Sequence, residues 1–252
     1  MTVALTIDGP LARLVLDRPD KLNALDVPMI DALTDRCREV ERSAARVVLL
    51  SGRGKAFCAG GDIEAWSSEG PHRFGRHWIR DGHAAFDALA RLCLPVIALL
   101  DGHALGGGLE LAACADLRIA ERHIKVGLPE TGLGVVPGWS GTQRAVRRFG
   151  VQTVRRMALF GEIFTADEAL ALGIVDQVTD TGGAEAAAAA VIERLLARSP
   201  TATELTKMLL AAAEGEERER VAEAFAGTLA AASPDLAEGL AAFRARRKPD
   251  FR

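Results

Sequence analysis

A run of three glycines followed closely by a glutamate is the part of this chain with the clearest chemical meaning. Residues 101–110 read DGHALGGGLE, after an apolar run that is typical of a buried strand and before a segment typical of a helix. Glycines at the start of a helix leave backbone N–H groups without intrahelical partners and without side chains over them. Such groups stabilise an anion, and the carboxylate of Glu110 beside them can transfer protons. We therefore expect an enzyme whose intermediate is an oxyanion.

A second glycine-rich loop could supply another donor. Residues 52–62 read GRGKAFCAGGD, and neither loop fits the glycine spacings of nucleotide-binding motifs. If the strands before the two loops are parallel neighbours, both loops open at the same edge of the sheet. One N–H from each could then bind a single oxygen, and each such donor is worth roughly 3–4 kcal/mol. The alternative is that these glycines only permit tight turns and close helix packing.

Two glutamates are candidates for proton transfer. Glu110 is predicted at a helix N-terminus, where the helix dipole favours the ionised form. Glu130 lies in GLPETGLGVVPG, residues 127–138, and its apolar neighbours are expected to raise its pKa. Two carboxylates whose pKa values move in opposite directions can act as base and acid at one pH. The alternative is that one or both are ordinary surface glutamates.

The elements that must position these residues alternate between strand and helix in the first half of the chain. This order predicts an α/β fold of parallel strands with right-handed crossovers. Strands are predicted at residues 3–7, 11–16, 46–50, 95–100, 117–120 and 174–178, and helices at 27–41, 72–93, 109–117, 184–198, 201–214, 216–232 and 234–246. A capping box, Thr165 to Glu168, predicts a further short helix that ends at Gly173.

The C-terminal part differs in composition from the rest. We expect residues 1–198 to form the core and residues 199–252 to form a helical region, with the boundary at Ser199 and Pro200. Alanine-rich helices with few large apolar side chains bury little surface alone. They are expected to pack against the core or against another subunit.

Composition excludes several classes of function. The chain has 252 residues and a net charge of −3, which gives no general affinity for nucleic acid or for acidic membranes. The four cysteines form no CxxC pair, so we expect free thiols and no metal site, and none of the five histidines has a recognisable triad partner. The chain has no tyrosine.

The first residues lack signal-peptide features, and no apolar run approaches the roughly 20 residues of a membrane span. We therefore expect a cytoplasmic protein.

Four segments and the tail resemble the crotonase, or enoyl-CoA hydratase/isomerase, family. RPDKLNAL (residues 18–25) resembles its first CoA-contacting loop, and AFCAGGD (56–62) resembles its first oxyanion loop. GHALGGGLE (102–110) resembles the second oxyanion loop with the first catalytic glutamate, and LPETGLGVVPGWSGTQR (128–144) the segment with the second. The basic ending AFRARRKPDF (242–251) also matches. The likeness therefore spans nearly the whole chain.

The resemblance implies a fold and a set of roles. The fold is a spiral of ββα units with a C-terminal helical region that makes trimers or dimers of trimers. The substrate is an acyl-CoA thioester, and no metal or redox cofactor is required. The implied roles are oxyanion donors at Gly61 and Gly107, acid and base at Glu110 and Glu130, a water-holding N–H at Gly138, and CoA or substrate contacts at Lys21, Ala59, Asp62, Ile63 and Trp139.

Two departures and three functions stay open. Trp139 stands where many relatives have a small residue, so it either narrows the pocket or packs at a turn. Glu64 stands where many have a lysine near CoA, which weakens a phosphate contact there. Both glutamates together favour hydration of a 2-enoyl-CoA, whereas isomerisation of the double bond needs only the position of Glu130. Dehydration of a modified acyl-CoA and C–C cleavage are further reactions of this family. An RNA-binding or non-catalytic member is the alternative of a different class, which the net charge disfavours.

Overall fold

The computed structural model describes residues 2–67, 70–216, 224, 226–229 and 231–251. The chain divides into two compact units, Met1–Glu204 and Leu205–Arg252. Every described strand lies in the first unit, and the described residues of the second form helical segments and the C-terminal tail. None of the helices within the described ranges is long and apolar enough to cross a membrane.

The elements follow the chain in this order. The strands are β1 (Val3–Asp8), β2 (Leu11–Leu16), β3 (Val47–Gly52), β4 (Ala56–Cys58), β5 (Val96–Leu100), β6 (His103–Leu105), β7 (Leu117–Glu121), β8 (Lys125–Gly127), β9 (Ile163–Thr165) and β10 (Gln177–Thr179). The helices are α1 (Val27–Glu41), α2 (Ile63–Trp66), α3 (Pro71–Arg73), α4 (Arg80–Ala90), α5 (Gly107–Ala112), α6 (Arg144–Phe149), α7 (Val151–Phe160), α8 (Ala166–Ala171), α9 (Ala184–Leu196), α10 (Pro200–Ala213) and α11 (Pro234–Ala245). A π-helical segment covers Phe74–Ile79, and 3₁₀ turns cover Pro19–Lys21 and Glu130–Leu133.

The larger sheet forms the centre of the first unit. Its strand order is β1-β2-β3-β5-β7-β10, with β1 antiparallel to β2 and the other neighbours parallel. Successive side chains of a strand point to opposite faces. Val48 and Leu50 therefore join the cluster that contains apolar residues of α1 and α4, while Val47 and Leu49 pack in the cluster with α9. The predicted parallel α/β fold is confirmed.

A smaller sheet was not predicted from the sequence. Its order is β4-β6-β8-β9, and each of these strands has three residues. The glycine-rich segment that contains β4 was predicted as a loop, and no strand was predicted at the positions of β6, β8 and β9. Three residues are too few to display the alternation by which a strand is recognised. Their pairing depends on neighbours that are far apart in the chain.

Several helices differ from their predicted bounds. The helix predicted at 72–93 consists of α3, the π-helical segment and α4, and the helix predicted at 109–117 ends at Ala112. The strand predicted at 174–178 is found as Gln177–Thr179. The capping box at Thr165 and Glu168 is confirmed. The helix predicted at 216–232 falls on a stretch where 217–223, 225 and 230 lie outside the described residues.

Candidate active site

The smaller sheet brings three distant segments to one edge. β4 is parallel to β6, and β6 is parallel to β8. The carboxyl ends of parallel neighbours open at the same edge of a sheet, which is where ligands of α/β proteins bind. Gly61 follows β4, Gly107 follows β6 and Glu130 follows β8. The two glycine loops were predicted to meet, but at the ends of the longer strands β3 and β5, which precede β4 and β6 in the chain.

The two glycine loops lie in close contact. A Cβ atom built on Gly107 would lie 3.4 Å from the backbone nitrogen of Gly61, and one built on Gly60 would lie 3.4 Å from the nitrogen of Gly107. Gly60 and Gly106 also have φ angles of 108° and 53°, which L side chains rarely adopt. Glycine is thus needed here both for backbone conformation and for the close approach of the two loops.

The carboxylate of Glu110 is held beneath these loops. The residue is 2% exposed, and one carboxylate oxygen accepts hydrogen bonds from the backbone N–H groups of Trp139, at 2.8 Å, and Gly141, at 2.6 Å. Burial raises the pKa of Glu110 to about 8, and repulsion by Glu130 adds to this, although the two hydrogen bonds oppose it. The prediction that the helix dipole keeps this group ionised was wrong. Helix α5 has six residues, and loss of hydration outweighs what its N-terminus supplies.

Glu130 lies in a 3₁₀ turn at the same edge. Both of its carboxylate oxygens are buried, and neither has a hydrogen-bond partner among the described residues. Burial raises its pKa to about 7, in the direction that the apolar neighbours predicted. Its Oε1 atom would be 3.0 Å from a Cβ atom on Gly106, so it faces the second glycine loop. Because both pKa values are raised, the pair retains a proton near neutral pH, as acid–base chemistry requires.

The two glutamates and the glycine loops line one cleft with about 610 Å³ of empty space. The rest of its wall is mostly apolar, as is usual for a site that binds a small molecule. Of the residues predicted for the site, those that line the cleft are Ala59, Gly61, Ile63, Gly107, Glu110, Glu130, Gly138 and Trp139. The aromatic side chains of Trp66, Phe74 and Trp78 line it as well.

Lys21 and Asp62 do not line this cleft. Asp62 is 7% exposed, accepts the N–H of Glu64 at the start of α2 and pairs with Arg18 at 2.6 Å. Burial acts to raise the pKa of Asp62, but the hydrogen bond from Arg18 and the other contacts lower it below its ordinary value. Lys21 is exposed and pairs with Glu64 at 2.8 Å. The charge of Lys21, to which the resemblance assigns a CoA contact, is therefore paired with Glu64.

Trp139 occupies the space beside the oxyanion loops. It is 3% exposed, and its ring lies against Trp78 and Phe86 with centroid separations of 5.0 and 5.2 Å. A Cβ on Gly107 would lie 2.8 Å from the Trp139 ring, and one on Gly61 would lie 3.3 Å from it. The indole N–H donates to the carbonyl of Trp78 at 3.2 Å. The side chain of Trp139 therefore packs at the turn and also forms a wall of the cleft.

Two structural groups near the site were missed by the sequence analysis. Asn23, which is fully buried, donates to the carbonyl of Ala56 at 2.7 Å and so ties the first loop to β4. His83 lies 3.0 Å from the hydroxyl of Ser140 and 3.5 Å from a carboxylate oxygen of Asp87, so the statement that no histidine has a triad-like partner was wrong. Asp87 is four positions from His83 in the same helix, but Ser140 is 57 positions away, so the contact with Ser140 could not be predicted from local sequence.

Within the described ranges, no group of three or more His, Cys, Asp or Glu side chains is placed as a metal site would need. Three of the four cysteines are buried, namely Cys37, Cys58 and Cys114. Burial raises the pKa of the Cys58 thiol to about 12.

The two sheets and the cleft at the ends of β4, β6 and β8 place this chain in the class of crotonase-fold proteins. An enoyl-CoA hydratase from Bacillus anthracis has the same fold, with a TM-score of 0.82 and 29% identity over 100% of this chain and 99% of that one. A family model described as enoyl-CoA hydratase/isomerase matches residues 6–252.

Curated relatives are similar to this chain over nearly their whole length. A crotonyl-CoA hydratase of Syntrophomonas wolfei is 34% identical over 99% of this chain and 97% of its own. An (E)-benzylidenesuccinyl-CoA hydratase of Thauera aromatica is 32% identical over 100% and 99%. The chain therefore belongs to the enoyl-CoA hydratase/isomerase family.

Proposed function

We propose that this protein is an enoyl-CoA hydratase, which adds water across the 2,3-double bond of a 2-enoyl-CoA thioester. The observation that carries the proposal is that two buried carboxylates, Glu110 and Glu130, line one cleft beside two facing glycine loops. Membership of the family and the activities of its relatives, which include a crotonyl-CoA hydratase, support an acyl-CoA thioester as the substrate.

The oxyanion donors are the N–H groups of Gly61 and Gly107. The thioester carbonyl oxygen binds between them, which stabilises negative charge on that oxygen as it develops. Glu110, in its ionised form, removes a proton from water while the water oxygen bonds to C3. The π electrons of the C2=C3 bond move to form the thioester enolate.

Glu130 completes the reaction. In its protonated form it gives its proton to C2 as the enolate collapses, and the product is a 3-hydroxyacyl-CoA thioester. The pair begins with a proton on Glu130 and ends with one on Glu110, so one proton transfer between them restores the enzyme. Burial raises both pKa values, to about 8 for Glu110 and about 7 for Glu130, so the pair holds a proton near neutral pH that can move between the two carboxylates. The thioester accepts the electron pair, so this route uses no metal or redox cofactor.

The remaining assignments extend the same proposal. Gly138 lines the cleft next to the residue whose N–H holds Glu110, which suits its proposed role in holding the water. We assign contacts with CoA to Ala59 and Ile63, which line the cleft, and to Lys21 and Asp62, which do not line it. The exposed apolar side chains of α10 and α11, such as Leu209, Leu240 and Phe243, fit a homo-oligomeric contact.

A double-bond isomerase is the second candidate, because Glu130 by itself could move a proton between C4 and C2. The environment of Glu110 favours it, because the residue is 2% exposed and two backbone N–H groups already bind one of its carboxylate oxygens.

A panel of CoA thioesters separates the two reactions. Each 2-enoyl-CoA, from crotonyl-CoA to longer and branched acyl groups, is mixed with the protein and the enoyl thioester absorbance is followed. Hydration removes that absorbance from 2-enoyl substrates. Isomerisation instead creates it from 3-enoyl substrates. A protein that leaves every trace flat is not a hydratase or an isomerase of these thioesters.

A further inference from the structure

We propose that His83 is a positioning residue that fixes the turn at Ser140, and through this turn the carboxylate of Glu110. This inference rests on the proposed role of Glu110 in hydration, although part of its test does not depend on turnover.

The first observation is the shape of the turn that holds Glu110. The two N–H groups that bind its carboxylate oxygen belong to Trp139 and Gly141, the residues on either side of Ser140. Successive backbone N–H groups converge on one anion only when the backbone between them turns in an unusual direction. Ser140 supplies that turn with a φ of 83°, a conformation that non-glycine residues seldom adopt.

The second observation is what the side chain of Ser140 touches. Ser140 is 5% exposed, and its hydroxyl lies 3.0 Å from Nε2 of His83 on α4. Nδ1 of His83 lies 3.5 Å from Asp87, one helical turn further along α4. Asp87 is itself paired with the buried Arg144 at 2.7 Å. The strained turn is therefore linked to two helices through His83.

Ser140, His83 and Asp87 are linked in the order of a nucleophilic triad. Their position nevertheless favours a structural role over nucleophilic attack on a substrate. Ser140 is 5% exposed and is not among the residues that line the cleft, which disfavours attack by its hydroxyl on a substrate. A strained non-glycine conformation persists only when the surrounding structure holds it. The contact with His83 is the side-chain restraint that this position offers.

Loss of His83 should therefore let the Ser140 turn relax. The Gly141 N–H would then leave the carboxylate of Glu110, and because that hydrogen bond lowers the pKa of Glu110, the pKa would rise further. A glycine at position 140 adopts positive φ without strain and needs no such restraint. The effect of removing His83 should therefore depend on the residue at position 140.

The experiment is a double-mutant cycle with His83→Ala and Ser140→Gly. In the wild-type background, we expect H83A to lower kcat for crotonyl-CoA by at least about 10-fold with little change in KM. In the S140G background, we expect H83A to change kcat by less than about 3-fold. Ser140→Ala breaks the same contact from the other side, so it decides the question if H83A does not fold.

A second readout follows Glu110 without turnover. The carboxyl ¹³C titration of Glu110, assigned by its loss in E110Q, should move to higher pH in H83A and return in H83A/S140G. Glu130 and Arg144 also act on this titration, so E130Q is measured in parallel and Arg144 is kept unchanged. If the wild type turned over no thioester, the hydratase proposal would fail while this titration still decided the positioning proposal.

His123 provides a matched control, because it lies 3.2 Å from the hydroxyl of Thr181 and 3.6 Å from Glu121, away from the cleft. H123A should leave kcat and the Glu110 titration unchanged. The proposal is overturned if H83A behaves like H123A, or if H83A is equally impaired with serine and with glycine at position 140.

Discussion

The backbone N–H of Trp139 donates a hydrogen bond to the carboxylate of Glu110 at 2.8 Å. The side chain of the same tryptophan lies against Gly107, where an added Cβ would be 2.8 Å from the ring. One residue therefore contacts the proposed base through its backbone and the proposed oxyanion donor through its indole. Trp139 thus links the proposed acid–base pair to the proposed oxyanion site, and a substitution at Gly107 should also affect the environment of Glu110.

Replacing either glutamate by glutamine should abolish most turnover. Glutamine keeps the size of the side chain but cannot transfer the proton, and general acid–base catalysis contributes about 10²–10⁴-fold. We expect E110Q and E130Q each to lower kcat for crotonyl-CoA hydration by that factor, measured by loss of enoyl thioester absorbance. E185Q, at an exposed glutamate paired with Arg13, is the control. Near-wild-type rates in both variants would contradict the mechanism.

Gly107→Ala should reduce activity by displacing the oxyanion donor. Its Cβ would meet two ring carbons of Trp139 at 2.8 Å, so the loop or the indole must move. Loss of one oxyanion donor typically costs about 10²–10³-fold in kcat. We expect a smaller loss when G107A is measured in a W139A background, because the ring that it meets is then absent.

Gly239 in α11 is the control for this substitution, since a Cβ there would meet nothing within 4 Å. G239A should keep wild-type kcat. A G107A enzyme as active as G239A would show that Gly107 lies outside the oxyanion site.

Trp139→Ala should weaken the fold and widen the cleft. Truncation of a buried tryptophan typically lowers the free energy of unfolding by about 3–5 kcal/mol. Urea unfolding measures this, and the acyl panel should show a gain in rate for longer or branched acyl groups relative to crotonyl-CoA. Trp66→Ala is the comparison, because Trp66 is only half-buried and its loss should cost less. An unchanged acyl preference in W139A would mean that its ring does not limit the substrate.

Stability should fall as pH rises across the range in which the two glutamates titrate. Their folded-state pKa values, about 8 and about 7, lie above the ordinary value of 4.5, so the folded protein binds more protons than the unfolded one. Their contribution is complete below about pH 4.5 and is lost as pH rises to about pH 8. Each pKa unit corresponds to about 1.4 kcal/mol.

Urea unfolding at several pH values tests this dependence. The double variant E110Q/E130Q, which mimics the protonated pair, should lose less stability than the wild type between acidic and weakly alkaline pH. Parallel curves for the two proteins would mean that the glutamates are hydrated in the folded state and that their pKa values are ordinary.

The sequence by itself determined the longer elements and the residue types of the site. Helix α1 and strands β3 and β5 were predictable because each is long enough to display its own hydrophobic pattern. The glycine run and Glu110 could be singled out because glycines at a helix start leave backbone N–H groups uncovered, which local sequence reveals. The apolar neighbours of Glu130 marked it as a second candidate, and the family resemblance added Gly61, Gly107 and Gly138, but neither gave distances.

The tertiary structure alone decided how these groups act on one another. Strands β4, β6 and β8 have three residues each and pair with segments that are distant in the chain. No local pattern therefore predicted the sheet that brings the site residues together. The pKa of Glu110 depends on complete burial and on Glu130, which outweigh the helix terminus visible in the sequence. The contact of His83 with Ser140 joins residues 57 positions apart. Burial and long-range contacts are properties of packing, and packing set the electrostatics of this site.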